Sequence, residues 1–173
     1  YTVNIEGLGN YKGDIEKQYC IAPKSADSLT LALTADVMVY CGEGIVPRSI
    51  VMDGATLLTE NEDYTVACTD NINVGTATLT ITAMGNYSGS KSISFAITPR
   101  QLVDTMVVVS PDTLIYTGDV QVPHVVVSDA GHITDADYTV ESEDGINVGS
   151  YNLSVIGRGN YTGTVIKTFT ITP

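Results

Sequence analysis

The chain has 173 residues, and 20 acidic against 8 basic side chains leave a formal charge of −12. That excess repels nucleic acid and anionic lipid at long range, so neither is an expected partner. No run of about 18 apolar residues occurs, so no segment is expected to insert as a membrane-spanning helix.

In chain order, Tyr1–Gly7 aligns with Tyr151–Gly157, so the sequence is expected to open inside a repeat. Next comes the phrase Gly9-Asn10-Tyr11-Lys12-Gly13, written again as Gly85-Asn86-Tyr87-Ser88-Gly89 and Gly159-Asn160-Tyr161-Thr162-Gly163. The copies lie 76 and 74 residues apart, and each leads ten residues later to a proline, at Pro23, Pro99 and Pro173. Self-similarity at a fixed spacing marks tandem copies of one folding unit. Residues 1–23 are therefore expected to be the last strands of a first repeat, with further repeats at 24–99 and 100–173.

In the second repeat Leu29, Leu31 and Leu33 alternate with Thr30, Ala32 and Thr34, the period of a half-buried strand. Strands are predicted next at Val37–Cys41, Val46–Met52, Tyr64–Cys68, Thr76–Ala83 and Lys91–Thr98, with a short one at Leu57–Thr59. The third repeat matches them with Val107 and Val109 in the same phase, then Thr113–Thr117, Val122–Ser128, Tyr138–Ser142, Ser150–Gly157 and Val165–Thr172. Turn formers such as Asp53-Gly54, Asp70-Asn71 and Val74-Gly75 separate them. Six or seven short strands in about 75 residues, without a capped helical stripe, predict an all-β chain of tandem small antiparallel β-sandwich domains.

The glycine phrase reads as a hairpin loop, since Gly and Asn tolerate the positive φ of a tight turn. Its tyrosine is expected to fold back over the sandwich end, burying its ring and bonding its hydroxyl to a main-chain group. All 10 Tyr and 2 Phe fall at repeat-equivalent positions, so no aromatic is left to mark a sugar platform in one repeat alone.

Chemistry is sparse. The two histidines, His124 and His132, have no nucleophile–acid spacing around them, so no enzyme is expected. The acids Asp53, Glu60, Glu62 and Asp63, or Asp129, Asp135 and Asp137, offer hard oxygen donors for calcium, although no EF-hand spacing is present. Solvated acidic loops account for the same residues, so no cofactor is expected and calcium stands as the only candidate. Cys20, Cys41 and Cys68 face Thr170, Thr117 and Ser142 in the sister repeat, which places them near the surface. A Cys41–Cys68 bridge would suit an oxidising exterior, and free thiols suit the sequence equally. Lys17 and Lys167 sit on an apolar strand phase and are expected to lay their stems over the core edge.

The ordered motifs resemble a known family. Tyr40-Cys41-Gly42, Pro47, Asp63-Tyr64-Thr65-Val66, Asn73-Val74-Gly75-Thr76 and Phe95-Ala96-Ile97 recur as Tyr116-Thr117-Gly118, Pro123, Asp137-Tyr138-Thr139-Val140, Asn147-Val148-Gly149 and Phe169-Thr170-Ile171. Together with the glycine phrase they resemble the Ig-like or mucus-binding-type repeats of bacterial cell-surface adhesins. The resemblance implies an extracellular stalk or adhesin segment whose partners are neighbouring repeats and host glycan, mucin or protein. Some relatives of mucus-binding repeats are β-grasp folds, which need a helix across the sheet.

Overall fold

The computed structural model describes residues 1–173, and the protein is all-β. A first hairpin joins β1 (Thr2–Glu6) to β2 (Asp14–Gln18). The second repeat follows with β3 (Lys24–Ser25), β4 (Thr30–Leu33), β5 (Val37–Val39), β6 (Ser49–Asp53), β7 (Thr56–Leu57), β8 (Tyr64–Thr69), β9 (Gly75–Ala83), β10 (Tyr87–Ser88) and β11 (Ser90–Thr98). The third contains β12 (Arg100–Gln101), β13 (Val107–Ser110), β14 (Thr113–Ile115), β15 (His124–Val127), β16 (Tyr138–Ser142), β17 (Gly149–Gly157), β18 (Tyr161–Thr162) and β19 (Thr164–Thr172). The helical turns are two 3₁₀ segments, Ala26–Ser28 and Asp104–Met106; no α-helix crosses a sheet as a β-grasp would require.

The two repeats share one connectivity. A four-stranded sheet runs β5-β11-β9-β8 in the second and β14-β19-β17-β16 in the third. In each, a short early strand lies parallel to the last one, pairing Ala96 with Val37 and Thr170 with Thr113. A smaller sheet is β4-β6-β7 in one repeat and β13-β15 in the other, so β7 has no counterpart. Two-residue parallel pairs, β3 with β10 and β12 with β18, join the start of each repeat to its glycine phrase. Such several small sheets are consistent with the sandwich class.

Predicted and observed strands coincide closely. The largest shift is at β6, which begins at Ser49 rather than at Val46, and its counterpart β15 likewise begins late, at His124 rather than at Val122. Pro47 and Pro123 have no N–H for a ladder, which delays the pairing until after the proline.

By packing, the chain divides into two compact units: residues 1–32, 49–67 and 80–92 form unit 1, and residues 33–48, 68–79 and 93–173 form unit 2. One end of the second repeat thus belongs with the whole third repeat. Unit 1 buries Leu29, Val51, Leu58, Tyr64 and Ile81. In unit 2, period-2 alternation buries Leu153 and Val155 on β17 and Val165, Phe169 and Ile171 on β19. Each such side chain contributes roughly 1.5–3 kcal/mol by leaving water. Lys167 interrupts the β19 stripe, and its Nζ reaches out 2.6 Å to Asp104 Oδ1 while its stem stays mostly covered.

The β1–β2 hairpin contrasts with this. All its strand residues are exposed, including Val3 and Ile5, whose counterparts Leu153 and Val155 are fully buried.

Candidate functional site

The glycine phrase builds the same turn three times. The amide of Gly7, Ala83 or Gly157 donates to the carbonyl of Gly13, Gly89 or Gly163 at 2.8–2.9 Å. The tyrosine amide of each copy donates back to Leu8, Met84 or Arg158 at 3.0–3.3 Å. Gly85 and Gly89 have φ of 66° and 86°, and Gly159 and Gly163 of 61° and 88°, values that a side chain would strain. The tyrosine then extends as a two-residue strand beside the start of its repeat, fixed by Lys24 N–H to Asn86 O and Arg100 N–H to Asn160 O, both 2.9 Å.

Both complete corners join a tyrosine, an aspartate and a basic side chain. The Tyr161 hydroxyl donates to Asp129 Oδ2 at 2.8 Å, and Arg100 Nε forms an ion pair with that oxygen at 3.1 Å. The Tyr87 hydroxyl donates to Asp53 Oδ2 at 3.3 Å, and Lys24 Nζ pairs with Asp53 Oδ1. In both corners the hydroxyl donates to a carboxylate rather than to the expected main-chain group. A carboxylate accepts several donors at once and makes the stronger, charge-assisted bond. Burial, and then the bond to Asp129, push the Tyr161 phenol well above its ordinary range. Burial and then Asp53 push Tyr87 up likewise.

Tyr161 is only 2 % exposed because unit 2 supplies a second layer. The Tyr40 ring meets it edge-on, with centroids 5.5 Å apart and planes at 73°. Beside it, Asn160 Oδ1 accepts the Val74 amide at 2.9 Å, and Asn160 Nδ2 donates to Asn73 Oδ1 at 3.1 Å. Tyr40 donates its hydroxyl to the His132 carbonyl at 3.4 Å, and burial, then Asp137, raise its phenol. Gly42, with φ of 84°, lies so close that a Cβ would run into the His132 imidazole. The Tyr-x-Gly and Asn-x-Gly motifs of the second repeat thus grip the glycine phrase of the third. Sequence reasoning found all these motifs and read Asn160 and Val74 as turn residues, but it gave Asn160, Asn73 and Val74 no partners, because only their recurrence was visible; the positive φ of the turn falls on its glycines and not on Asn160.

The other singled-out residues do not converge. Asp63 Oδ2 accepts the Thr59 amide at 2.9 Å, and Asp137 Oδ2 accepts both the Thr134 amide and its hydroxyl. Asp135 accepts the Tyr138 hydroxyl, and Glu60 and Glu62 are exposed. Asp53 and Asp129 lie in the corners, and no three His, Cys, Asp or Glu side chains are drawn into one cluster. Cys20, Cys41 and Cys68 are free thiols, so the Cys41–Cys68 bridge is not formed. Cys41 Sγ lies 3.6 Å from the Glu43 carbonyl, while burial raises the half-buried Cys68 thiol. His124 is exposed on β15, and His132 is half-buried against Gly42. Tyr11, in the first copy of the phrase, is 79 % exposed and has no such surroundings.

What these features define is an all-β chain whose repeated signature is used in corners and packing contacts. No protein family, curated protein or solved structure matches the chain.

Proposed function

We propose that the chain is a non-enzymatic segment of a bacterial extracellular surface protein, built of tandem Ig-like domains, that spaces or presents a binding region. The observation that carries this reading is the hold of Asn73, Val74 and Tyr40 on Asn160 and Tyr161. These signature residues couple one repeat to the next. A spacer needs such coupling, because an interface between consecutive repeats limits their hinge motion. The resemblance of the motifs to bacterial surface repeats supports the extracellular placement.

Single-molecule stretching tests it. Two cooperative unfolding events are expected, each releasing about 75 residues, or roughly 26 nm of extended chain. Gradual extension without cooperative events would sink the spacer reading. A glycan and mucin array decides the rival role: saturable binding that survives Tyr161→Phe but is lost on changing surface loops would make the chain a binding module.

A further inference from the structure

We propose that the third repeat carries an open seam between β15 and β16 that takes an extended, basic segment of a partner protein as an added strand. The second repeat shows what the seam lacks. There the chain turns back after β6 as β7, pairing Leu57 with Met52, and the Leu58 amide donates to the Val51 carbonyl at 2.9 Å. In the third repeat Asp129 and Asp137 lie eight residues apart where Asp53 and Asp63 lie ten, and the shortened stretch forms no strand. Both flanking edges are left without a partner, since β15 is bonded only to β13 and β16 only to β17. Two links set these edges side by side. The 129–137 loop joins them at one end, and Gln121 bridges to Gly145 at the other, with its amide 2.8 Å from the Gly145 carbonyl.

Exposure follows the missing strand. Val51, Leu58 and Tyr64 are at most 5 % exposed, whereas their counterparts Val127, Ile133 and Tyr138 are half-buried. Val140, the counterpart of half-buried Val66, is 42 % exposed. The cover that is missing is one that a repeat supplies to itself, so the opening does not depend on what adjoins the repeat. The main chain is set for a ladder. The Ser128 amide donates to the Met106 carbonyl at 2.9 Å, so antiparallel alternation turns Val126 toward β13 and aims the N–H and C=O of Val125 and Val127 at the free edge.

Charge selects the occupant. Residues 101–157 contain nine Asp and Glu and no Lys or Arg, and β16 with its flanks bears Asp135, Glu141, Glu143 and Asp144. A strand with apolar residues at alternate positions would set them beside Val127 and Val140, with its Lys or Arg among these acids. The same acids repel a second copy of a chain that carries −12. This docking role goes beyond the spacer reading and does not depend on it.

The probe is a short labelled peptide of alternating Val and Lys, titrated into the full chain under reducing conditions and followed by anisotropy and by amide NMR shifts. Saturable binding is expected, with shifts gathered on Val125, Val127 and Val140 and none at Val51 or Tyr64. A peptide of equal charge with Pro in place of Val cannot form a ladder and should bind at least about tenfold more weakly. Val125→Pro removes an N–H aimed at the free edge, where proline is tolerated, and should weaken binding by a similar factor. If that variant does not fold, Val140→Arg at an exposed position brings a like charge to the seam and should have the same effect. Absence of binding at millimolar peptide overturns the proposal. So does equal binding of the proline peptide with shifts scattered over all the acidic loops, which is diffuse charge attraction. Self-association of the parent through β15 would make a second copy the occupant and overturn it too.

Discussion

Tyr161 and Asp129 are joined by a 2.8 Å hydrogen bond from phenol to carboxylate, and Tyr87 and Asp53 by the same bond at 3.3 Å. The two corners therefore differ in depth but not in chemistry, and that difference orders the effects of mutation.

Removing the hydroxyl alone should give a graded series. Tyr161→Phe loses a buried bond to a charged group and should cost about 2 kcal/mol of stability. Tyr87→Phe, at the more exposed corner, should cost clearly less, and Tyr11→Phe nothing measurable. Urea unfolding of the three variants gives the order, and equal losses at Tyr161 and Tyr11 would contradict the corner.

The asparagine of the phrase should matter in only one copy. Asn160→Ala deprives the Val74 amide of its acceptor and should cost about 1 kcal/mol. Asn86→Ala leaves its main-chain bond to Lys24 intact and removes an exposed side chain, so its unfolding midpoint should match the parent's.

Gly42 and Gly118 form a matched pair with φ of 84° and 88°. Alanine at either strains the backbone by about 1 kcal/mol or more. At Gly118 the nearest atom to the new Cβ is the Tyr116 hydroxyl at 3.7 Å, which is ordinary contact. At Gly42 the imidazole of His132 blocks it, so Gly42→Ala should lower the thermal midpoint further than Gly118→Ala. A His132→Ala background should erase the difference.

Alkaline pH should weaken the fold through Tyr161. Its phenol is raised in the folded protein, so the contribution is complete below the unfolded value near 10. Above that pH the unfolded chain releases the proton while the folded chain retains it, and stability falls as pH rises toward the folded value. The slope of unfolding free energy against pH between 9 and 11.5 should therefore be negative and flatter in Tyr161→Phe.

Much of the architecture was legible in advance because strands advertise themselves locally. The alternation of Thr78, Leu79, Thr80 and Ile81 predicts a half-buried strand, and β9 buries Leu79 and Ile81. The 3₁₀ turn at Ala26–Ser28 was not legible, since three residues carry no periodicity. The pairing of β10 with β3 was hidden for another reason: a two-residue parallel ladder depends on where distant chain segments meet.

The sequence by itself determined the repeat, the strand phases and the positive-φ turns at Gly85 and Gly89 or Gly159 and Gly163, all consequences of residue type at short spacing. Only the tertiary structure decided that Asp129 rather than a carbonyl receives Tyr161, and that Asn160 reaches Asn73 and Val74. Those partners lie 32 or more residues away in the chain, and the bonds exist only once the strands carrying them are packed. Tyr11, Tyr87 and Tyr161 occupy identical phrases yet range from exposed to buried, because the surroundings that cover a residue are supplied by the fold and not by its neighbours in sequence.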